Sequence, residues 1–124
     1  MPVDDQPAIT VGARYPVGER MIRLSDRVAR IVMRCRPVLI DTAAHREVIT
    51  YGELSQAIDR SVLPRHMGLV LHMIGHDCEA RGEPSLAALV VSAGTGEVGT
   101  PDASWAPPER LACWEHWAAG PRGA

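Results

Sequence analysis

Three amino acids are absent from this chain of 124 residues: lysine, asparagine and phenylalanine. All 13 basic residues are therefore arginine. A folded protein has no physical need for such a bias. We interpret it as a sign of a GC-rich coding genome, such as that of an actinobacterium or of one of its phages.

The chain also lacks an excess of positive charge, because its formal net charge is −2. Proteins that bind nucleic acid nonspecifically usually have a clearly basic domain. Strong nonspecific binding is therefore disfavoured unless the arginines are concentrated on one side of the molecule.

Long apolar runs are missing too, and none approaches the ~20 residues that a membrane span requires. Only three cysteines are present, Cys35, Cys78 and Cys113, and we find no signal peptide before them. An odd number of cysteines favours reduced thiols over a disulfide framework. We therefore expect a cytoplasmic protein that does not contact membranes.

The length of the chain fits one domain with a single core. Residues 1–19 contain prolines, acids and glycines without a helical period, which predicts a flexible lead-in, although residues 9–11 could form a short edge strand. Residues 20–119 carry the periodic segments and form the predicted domain. Residues 120–124 form the predicted tail.

A first helix is predicted from a cap at Ser25 to about His45, interrupted or kinked at Pro37. Its apolar stripe recurs at helical spacing and comprises Val28, Ile31, Val32, Cys35 and Leu39.

Basic residues follow one flank of the same helix. Arg27, Arg30 and Arg34 lie at three- and four-residue steps, and Arg20 and Arg23 continue the spacing toward the helix start. Charged helix faces are most often simply solvated. The alternative is that this ridge contacts phosphates or an acidic partner.

The clearest local signal opens a second helix. Thr50 and Glu53 have the spacing of a capping box, and Ile49 with Leu54 forms the apolar pair of a hydrophobic staple. This helix should end near residues 59–62, because Pro64 disfavours helical geometry in the residue before it but suits the first turn of a new helix.

The next helix is predicted from Pro64 to Glu79. Its core face is expected to contain Met67, Val70, Leu71, Ile74 and Cys78, and its polar face Arg65, His72, His76 and Glu79. A hairpin is predicted next, with strands at residues 86–91 and 97–98 and a turn at residues 94–96.

A last helix is predicted after Ser104, with Leu111, Trp114 and Ala118 facing inward. Trp105, Trp114 and Trp117 are expected to hold this helix on the core, with an aromatic binding surface as the alternative. The predicted class is α+β: one winged-helix-like domain, mostly helical, with a small antiparallel hairpin.

Four segments together resemble a known family. They are Ile-Thr-Tyr-Gly-Glu-Leu at residues 49–54, Pro-Arg-His-Met-Gly-Leu-Val-Leu at 64–71, Leu-Val-Val at 89–91 after Pro84, and Gly-Glu-Val-Gly at 96–99. Their layout is similar to the winged-helix domain of alkylguanine-DNA alkyltransferases and alkyltransferase-like proteins. The chain also resembles small uncharacterised bacterial and phage proteins with a similar Tyr-Gly-Glu-Leu segment.

The resemblance implies DNA-binding roles for two residues. Tyr51 matches the tyrosine that presses on the backbone of a flipped nucleotide, and Arg65 matches the arginine that enters the base stack. The reactive Pro-Cys-His-Arg segment of the family is replaced here by Pro-Ser-Leu-Ala-Ala at residues 84–88. Without a thiolate there is no acceptor, so alkyl transfer is excluded.

Other chemistry is weakly indicated. His72 and His76 lie one helical turn apart, and Cys113 and His116 could complete a zinc site with them. Zincin-type proteases have a glutamate immediately after the first histidine, but Met73 stands there, and Cys78 projects toward the apolar face. No nucleophile-elbow pattern surrounds any serine. We therefore predict no enzyme activity, no cofactor and no bound metal.

Two functions from different classes remain. The first is a non-catalytic DNA-binding module in which Tyr51, Arg65, His72 and His76 face a groove, the turn at residues 94–96 acts as a wing, and the arginine ridge contacts phosphates. The second is an adaptor or inhibitor that binds a host or phage protein through the same polar face or ridge. The family resemblance favours DNA.

Overall fold

The structure, a computed structural model, describes residues 6–118. The predicted tail at residues 120–124 and the first five residues of the predicted lead-in lie outside this range. The elements in chain order are β1 (Arg14–Val17), β2 (Arg20–Arg23), α1 (Asp26–Ala44), β3 (Ile49–Thr50), α2 (Tyr51–Ala57), α3 (Met67–Arg81), β4 (Val90–Val91) and α4 (Ala106–His116). The predicted class is confirmed: the fold is α+β, mostly helical, with one small antiparallel hairpin in the described range.

The first strand of the hairpin lies where the sequence predicted a flexible lead-in, and that prediction was wrong for Arg14–Val17, whereas β2 lies within the predicted domain. Strands β1 and β2 pair antiparallel from Arg14 opposite Arg23 to Val17 opposite Arg20. Ile9 is also buried in the core, although it is not in a strand. Each strand is only four residues long, so its alternation was too short to recognise. Because Arg20 and Arg23 belong to β2, they do not extend the helical ridge.

The hairpin predicted at residues 86–98 does not form. Residues Leu86–Leu89 make a 3-10 turn, and β4 pairs in parallel with β3. The Ser92 amide donates to the Glu97 carbonyl at 2.8 Å, which closes a turn but adds no second strand. Leu86, Ala88 and Leu89 are all buried, so the segment has no polar face to expose as an outer strand.

Helix α1 begins at its predicted cap, where the Ser25 hydroxyl accepts a hydrogen bond from the Val28 amide at 3.1 Å. It continues as one helix through the exposed Pro37. The predicted stripe packs inward, and the fully buried members are Ile31, Val32, Cys35 and Leu39.

The two-helix unit α2–α3 is also confirmed. The Glu53 amide donates to Thr50 Oγ1 at 3.1 Å, and Glu53 Oε1 accepts from the Thr50 amide at 2.9 Å, so the capping box is complete. A 3-10 turn at Pro64–His66 leads into α3, which ends before Gly82 in the left-handed conformation (φ 73°). Such a glycine is a common helix stop.

The buried face of α3 differs from its prediction at three positions. Met67, Val70, Ile74 and Cys78 are buried as expected, but Leu71 is only half-buried, while Met73 and Asp77 are buried. In α4 the expected inward residue Leu111 is 48% exposed, and Cys113 is buried instead. Trp114 and Trp117 pack against the core as predicted, whereas Trp105 is more exposed.

Four charged residues, Arg36, Asp77, Arg81 and Glu83, form a charge cluster that the sequence did not reveal. Arg36 and Asp77 are buried, and Arg81 and Glu83 are partly buried. Arg36 donates to both carboxylate oxygens of Glu83, at 2.8 and 2.9 Å. Asp77 Oδ2 accepts from Arg81 Nε at 2.9 Å, and Asp77 Oδ1 accepts from the Ala8 amide at 2.6 Å. The cluster therefore joins α1, α3 and the segment before β1.

The pKa of the Arg36 guanidinium is affected both by burial and by the neighbouring Glu83 carboxylate. Burial alone would lower the pKa, but the hydrogen bonds and charge of Glu83 outweigh burial and raise it above its ordinary value. Arg36 therefore keeps its positive charge in the interior.

Replacing Thr50 with alanine removes the cap of α2. We expect Thr50→Ala to lower the free energy of unfolding by about 1 kcal/mol, measured by urea denaturation. Gln56→Ala, a change at an exposed position of the same helix, should not destabilise. An unchanged unfolding midpoint in Thr50→Ala would contradict the capping role.

Removing the Asp77 carboxylate leaves buried positive charge without its partner. We expect Asp77→Ala to lower the free energy of unfolding by about 3 kcal/mol in the same assay. Glu115→Ala, which removes an exposed acid from α4, serves as the control and should stay within about 0.5 kcal/mol of the parent. Equal effects of the two changes would show that the cluster does not stabilise the fold.

Candidate functional site

The structure divides the predicted site residues between two surfaces. Arg27, Arg30 and Arg34 lie on α1 beside the loop that joins α2 to α3. A separate cleft is lined by Tyr51, His72 and His76. Residues 98–100 and Trp105 also line this cleft. Tyr51, His72 and His76 therefore share one surface, whereas Arg65, which was expected on the same polar face, is not among the residues that line this cleft.

The first surface, the arginine face, consists of Arg27, Arg30, Arg34 and Arg60 around Ser61. Arg27 Nη2 donates to the Ser61 carbonyl at 3.0 Å, and Arg34 donates to the Ser61 hydroxyl. Arg30 pairs with Asp26 one turn earlier. A guanidinium has five N–H donors, so each of these arginines keeps donors for a ligand.

Backbone geometry places Arg60 on this face. Asp59 and Arg60 both adopt the left-handed conformation, with φ of 59° and 58°. The Arg60 amide donates to the Ser55 carbonyl at 2.7 Å, and the Ser55 hydroxyl donates to the Val62 carbonyl at 2.7 Å. Two consecutive left-handed residues other than glycine are unfavourable by roughly 1–2 kcal/mol each. Buried Ser55 holds the loop in this shape.

Arg65 and His66 follow on the 3-10 turn before α3, and both are exposed. His66 borders the arginine face, together with the apolar side chains of Leu63 and Leu69. The sequence did not point to Ser61, although it is the residue on which two arginines converge. A single serine after an arginine carries no signal that would have revealed it.

The second surface, the cleft, has a volume of about 320 Å³. One wall is α3, and the opposite wall includes Tyr51, Val98 and Trp105. The Gly99 amide donates to the Tyr51 hydroxyl at 3.0 Å, and a β-carbon at Gly99 would come within 2.5 Å of that oxygen. Only glycine at position 99 therefore permits this contact.

His76 contributes to the fold as well as to the cleft. Its Nε2 lies 2.7 Å from the Pro16 carbonyl, so this nitrogen donates the hydrogen bond. Its ring also packs against Tyr15 of β1, with 5.5 Å between the ring centres. His76 therefore attaches the hairpin to α3, whereas His72 is exposed at the edge of the cleft.

These positions change the expected role of α3. Its one arginine, Arg81, is bound to Asp77, and both of its histidines line the cleft. The turn at residues 94–96 is not flanked by antiparallel strands, so it is not the wing that was expected. A groove-reading helix with an adjacent wing is not supported by this geometry.

The cysteines are poorly suited to metal binding or nucleophilic chemistry. All three are free and buried, and burial raises the pKa of Cys35 to about 12, of Cys78 to about 11 and of Cys113 to about 12. The neutral thiol is therefore favoured, whereas metals and electrophiles need the thiolate. His116 packs against the Trp117 ring.

Two properties of the described residues concern metal binding and membranes. Within residues 6–118, no three side chains of His, Cys, Asp or Glu are grouped so that they could hold a metal ion. None of the helices in this range combines the length and apolar character that crossing a bilayer requires.

The position of these two surfaces on the fold is the basis for assigning a function. Comparison of the chain with protein-family models, with curated proteins and with solved structures finds no significant match.

Proposed function

We propose that the protein is a non-catalytic nucleic-acid-binding module that contacts phosphates through its arginine face. The observation that carries this proposal is the convergence of Arg27 and Arg34 on Ser61. Basic groups from α1 and from the α2–α3 loop thereby form one surface. Arginine suits phosphate because its planar N–H groups match the phosphate oxygens.

The dimensions of the arginine face fit a phosphate backbone. Arg27 and Arg34 are separated by two helical turns, which corresponds to about 10 Å along α1. Arg30 lies between them, and Arg60 approaches from the loop. Several phosphates of one strand can therefore be contacted at once, as sequence-independent binding requires.

The acidic net charge of the chain does not exclude this function. Electrostatic attraction at a surface depends on the local charges, because salt screens charges beyond about 10 Å. Asp26 and Asp59 are the acids adjacent in sequence to the arginine face, and Asp26 is paired with Arg30. The surface therefore remains locally positive, and we expect moderate affinity without base-specific contacts.

The family resemblance supports the same class of function but not the same contacts. Arg65 is exposed on the 3-10 turn before α3, next in sequence to His66, and is available to DNA. Tyr51 faces the cleft with its hydroxyl bound by Gly99, so we do not assign it to the nucleic-acid contact. His72 and His76 line the same cleft, so we do not assign them to the nucleic-acid contact either. The three free thiols support a reducing, cytoplasmic location.

A protein partner with acidic groups is the second candidate. Leu63 is 37% exposed, and it borders the same surface as Arg27 and Arg60. A mixture of apolar and arginine side chains is typical of protein interfaces. Such an adaptor or inhibitor would use the arginine face without binding DNA.

Binding to labelled duplex and single-stranded DNA at several salt concentrations tests the proposal. The parent protein should bind with an affinity that falls as salt rises, and Arg34→Gln should reduce the log–log slope by about one unit. Arg46→Gln removes an equal charge beyond the far end of α1 and should leave the slope unchanged. No binding of either DNA at low salt would overturn the DNA proposal and favour a protein partner.

The variant Arg60→Gly tests the contribution of Arg60 to DNA binding without lowering the stability of the fold. Glycine removes the left-handed strain of roughly 1–2 kcal/mol, although its extra freedom in the unfolded chain offsets about 0.5–1 kcal/mol of that gain. We therefore expect an unfolding free energy equal to or slightly above that of the parent, together with weaker DNA binding. If this variant binds DNA as well as the parent, Arg60 is not part of the contact surface.

A further inference from the structure

The cleft is separate from the arginine face and has the properties of a small-molecule site. Its volume of about 320 Å³ falls within the range of roughly 300–1,000 Å³ that is typical of ligand pockets. Its walls are mainly apolar and include two aromatic rings, those of Tyr51 and Trp105. Leu71, Val90 and Val98 supply the aliphatic part of the walls.

The walls of the cleft are already held in place without a ligand. The Gly99 amide is bound to the Tyr51 hydroxyl, and Trp105 Nε1 donates to Thr100 Oγ1 at 3.0 Å. These two bonds connect both aromatic rings to residues 99–100. A cleft with such fixed walls loses little conformational entropy when a ligand enters.

The polar side chains of the cleft indicate the kind of ligand. Among the described residues, the side chains that line the cleft include no carboxylate and no guanidinium, and the ionisable ones are Tyr51, His72 and His76. His76 Nε2 is occupied by the Pro16 carbonyl, and its other ring nitrogen lies 3.9 Å from Glu79. The Ser85 amide donates to Glu109 Oε2 at 2.8 Å, so net charge does not favour an anion, and the free hydrogen-bond donors that line the cleft decide which ligand group it accepts.

Two donors border the cleft on the α3 side. Within residues 6–118, the His72 imidazole and the Ser85 hydroxyl are not engaged in hydrogen bonds with other protein groups, and both line the cleft. The Ser85 hydroxyl lies 3.5 Å from where a β-carbon of residue 75 would stand, so it is beside α3 one turn from His72. Both donors are therefore available to a ligand in the cleft.

We propose that this cleft binds a small aromatic carboxylic acid. The ring system packs between the aromatic wall and the aliphatic residues, and the carboxylate accepts hydrogen bonds from His72 and Ser85. A ligand with two or more charges is disfavoured, because apolar walls do not replace the hydration of a second charge. This binding site is independent of the arginine face and of its proposed function.

The experiment is a titration of the full chain with 2-naphthoate, followed by amide chemical shifts in a two-dimensional NMR spectrum. We expect a dissociation constant on the order of 0.1 mM, which is ordinary for a ligand of this size. Shifts should concentrate at residues 72–76, 85 and 99–100. The neutral 2-naphthamide should bind roughly tenfold more weakly, because hydrogen bonds to a charged group are stronger.

Two pairs of variants test the assignment. His72→Gln should remove most of the preference for the acid over the amide, whereas His66→Gln, an exposed histidine beside the arginine face, should keep it. Gly75→Leu places a side chain in the cleft and should weaken both ligands at least tenfold. Gly68→Leu, the same change at an exposed position of α3 outside the cleft, should not affect binding.

Both leucine substitutions replace glycine in a helix, so neither is expected to impair folding. The proposal is overturned if 2-naphthoate causes no shifts up to 5 mM, or if its shifts map to residues outside the cleft. Equal affinities for the acid and the amide would also overturn it, as would full binding by Gly75→Leu. DNA binding serves as an independent readout and should be unchanged in His72→Gln and Gly75→Leu, whose positions line the cleft.

Discussion

Arg36 and Asp77 meet in the interior, at a point where four parts of the chain converge. Arg36 comes from α1, Asp77 and Arg81 from α3, Glu83 from the segment after α3, and Ala8 from the segment before β1. Isolated buried charges are costly, so each member of this cluster needs its partners in position. In the described range no buried side-chain nitrogen or oxygen lacks a hydrogen-bond partner. The relative positions of α1 and α3 are thereby tightly constrained.

The buried position of Arg36 also determines to which side of α1 the arginine face points. A helix advances about 100° per residue, so Arg36 lies about 180° around α1 from Arg27. The apolar stripe of α1, with Val32 and Cys35, lies between the two flanks. Once Arg36 contacts Glu83 on one flank, Arg27 and Arg34 are directed to the other flank, where the α2–α3 loop presents Ser61. The position of the proposed binding surface thus follows from the buried cluster and the core together.

Local sequence signals were reliable where a local interaction decides the structure. The Ser25 cap, the capping box at Thr50 and the stripe of α1 depend on residues within a few positions of each other, and all three were predicted. The parallel pairing of Ile49–Thr50 with Val90–Val91 depends on residues 41 positions apart, and no local pattern encodes it. The buried position of Asp77 was missed for the same reason, because its partners come from distant segments. On the candidate surfaces, the arginines of α1 were found by their spacing, whereas Ser61 and the position of Trp105 in the cleft required the folded chain.

The cleft illustrates how contacts that are distant in sequence can create a site without a motif. Tyr51 begins α2 next to its cap, so the position of its backbone is fixed by a strong local signal. The partner of its hydroxyl, Gly99, lies 48 residues later, and the third side of the cleft is α3. The same tyrosine matches a DNA-contacting residue in the resembled family, but here its hydroxyl is bound within the fold and its ring lines an apolar space. A residue's position in a motif therefore does not determine its role, because the neighbours that decide the role are supplied by the tertiary structure.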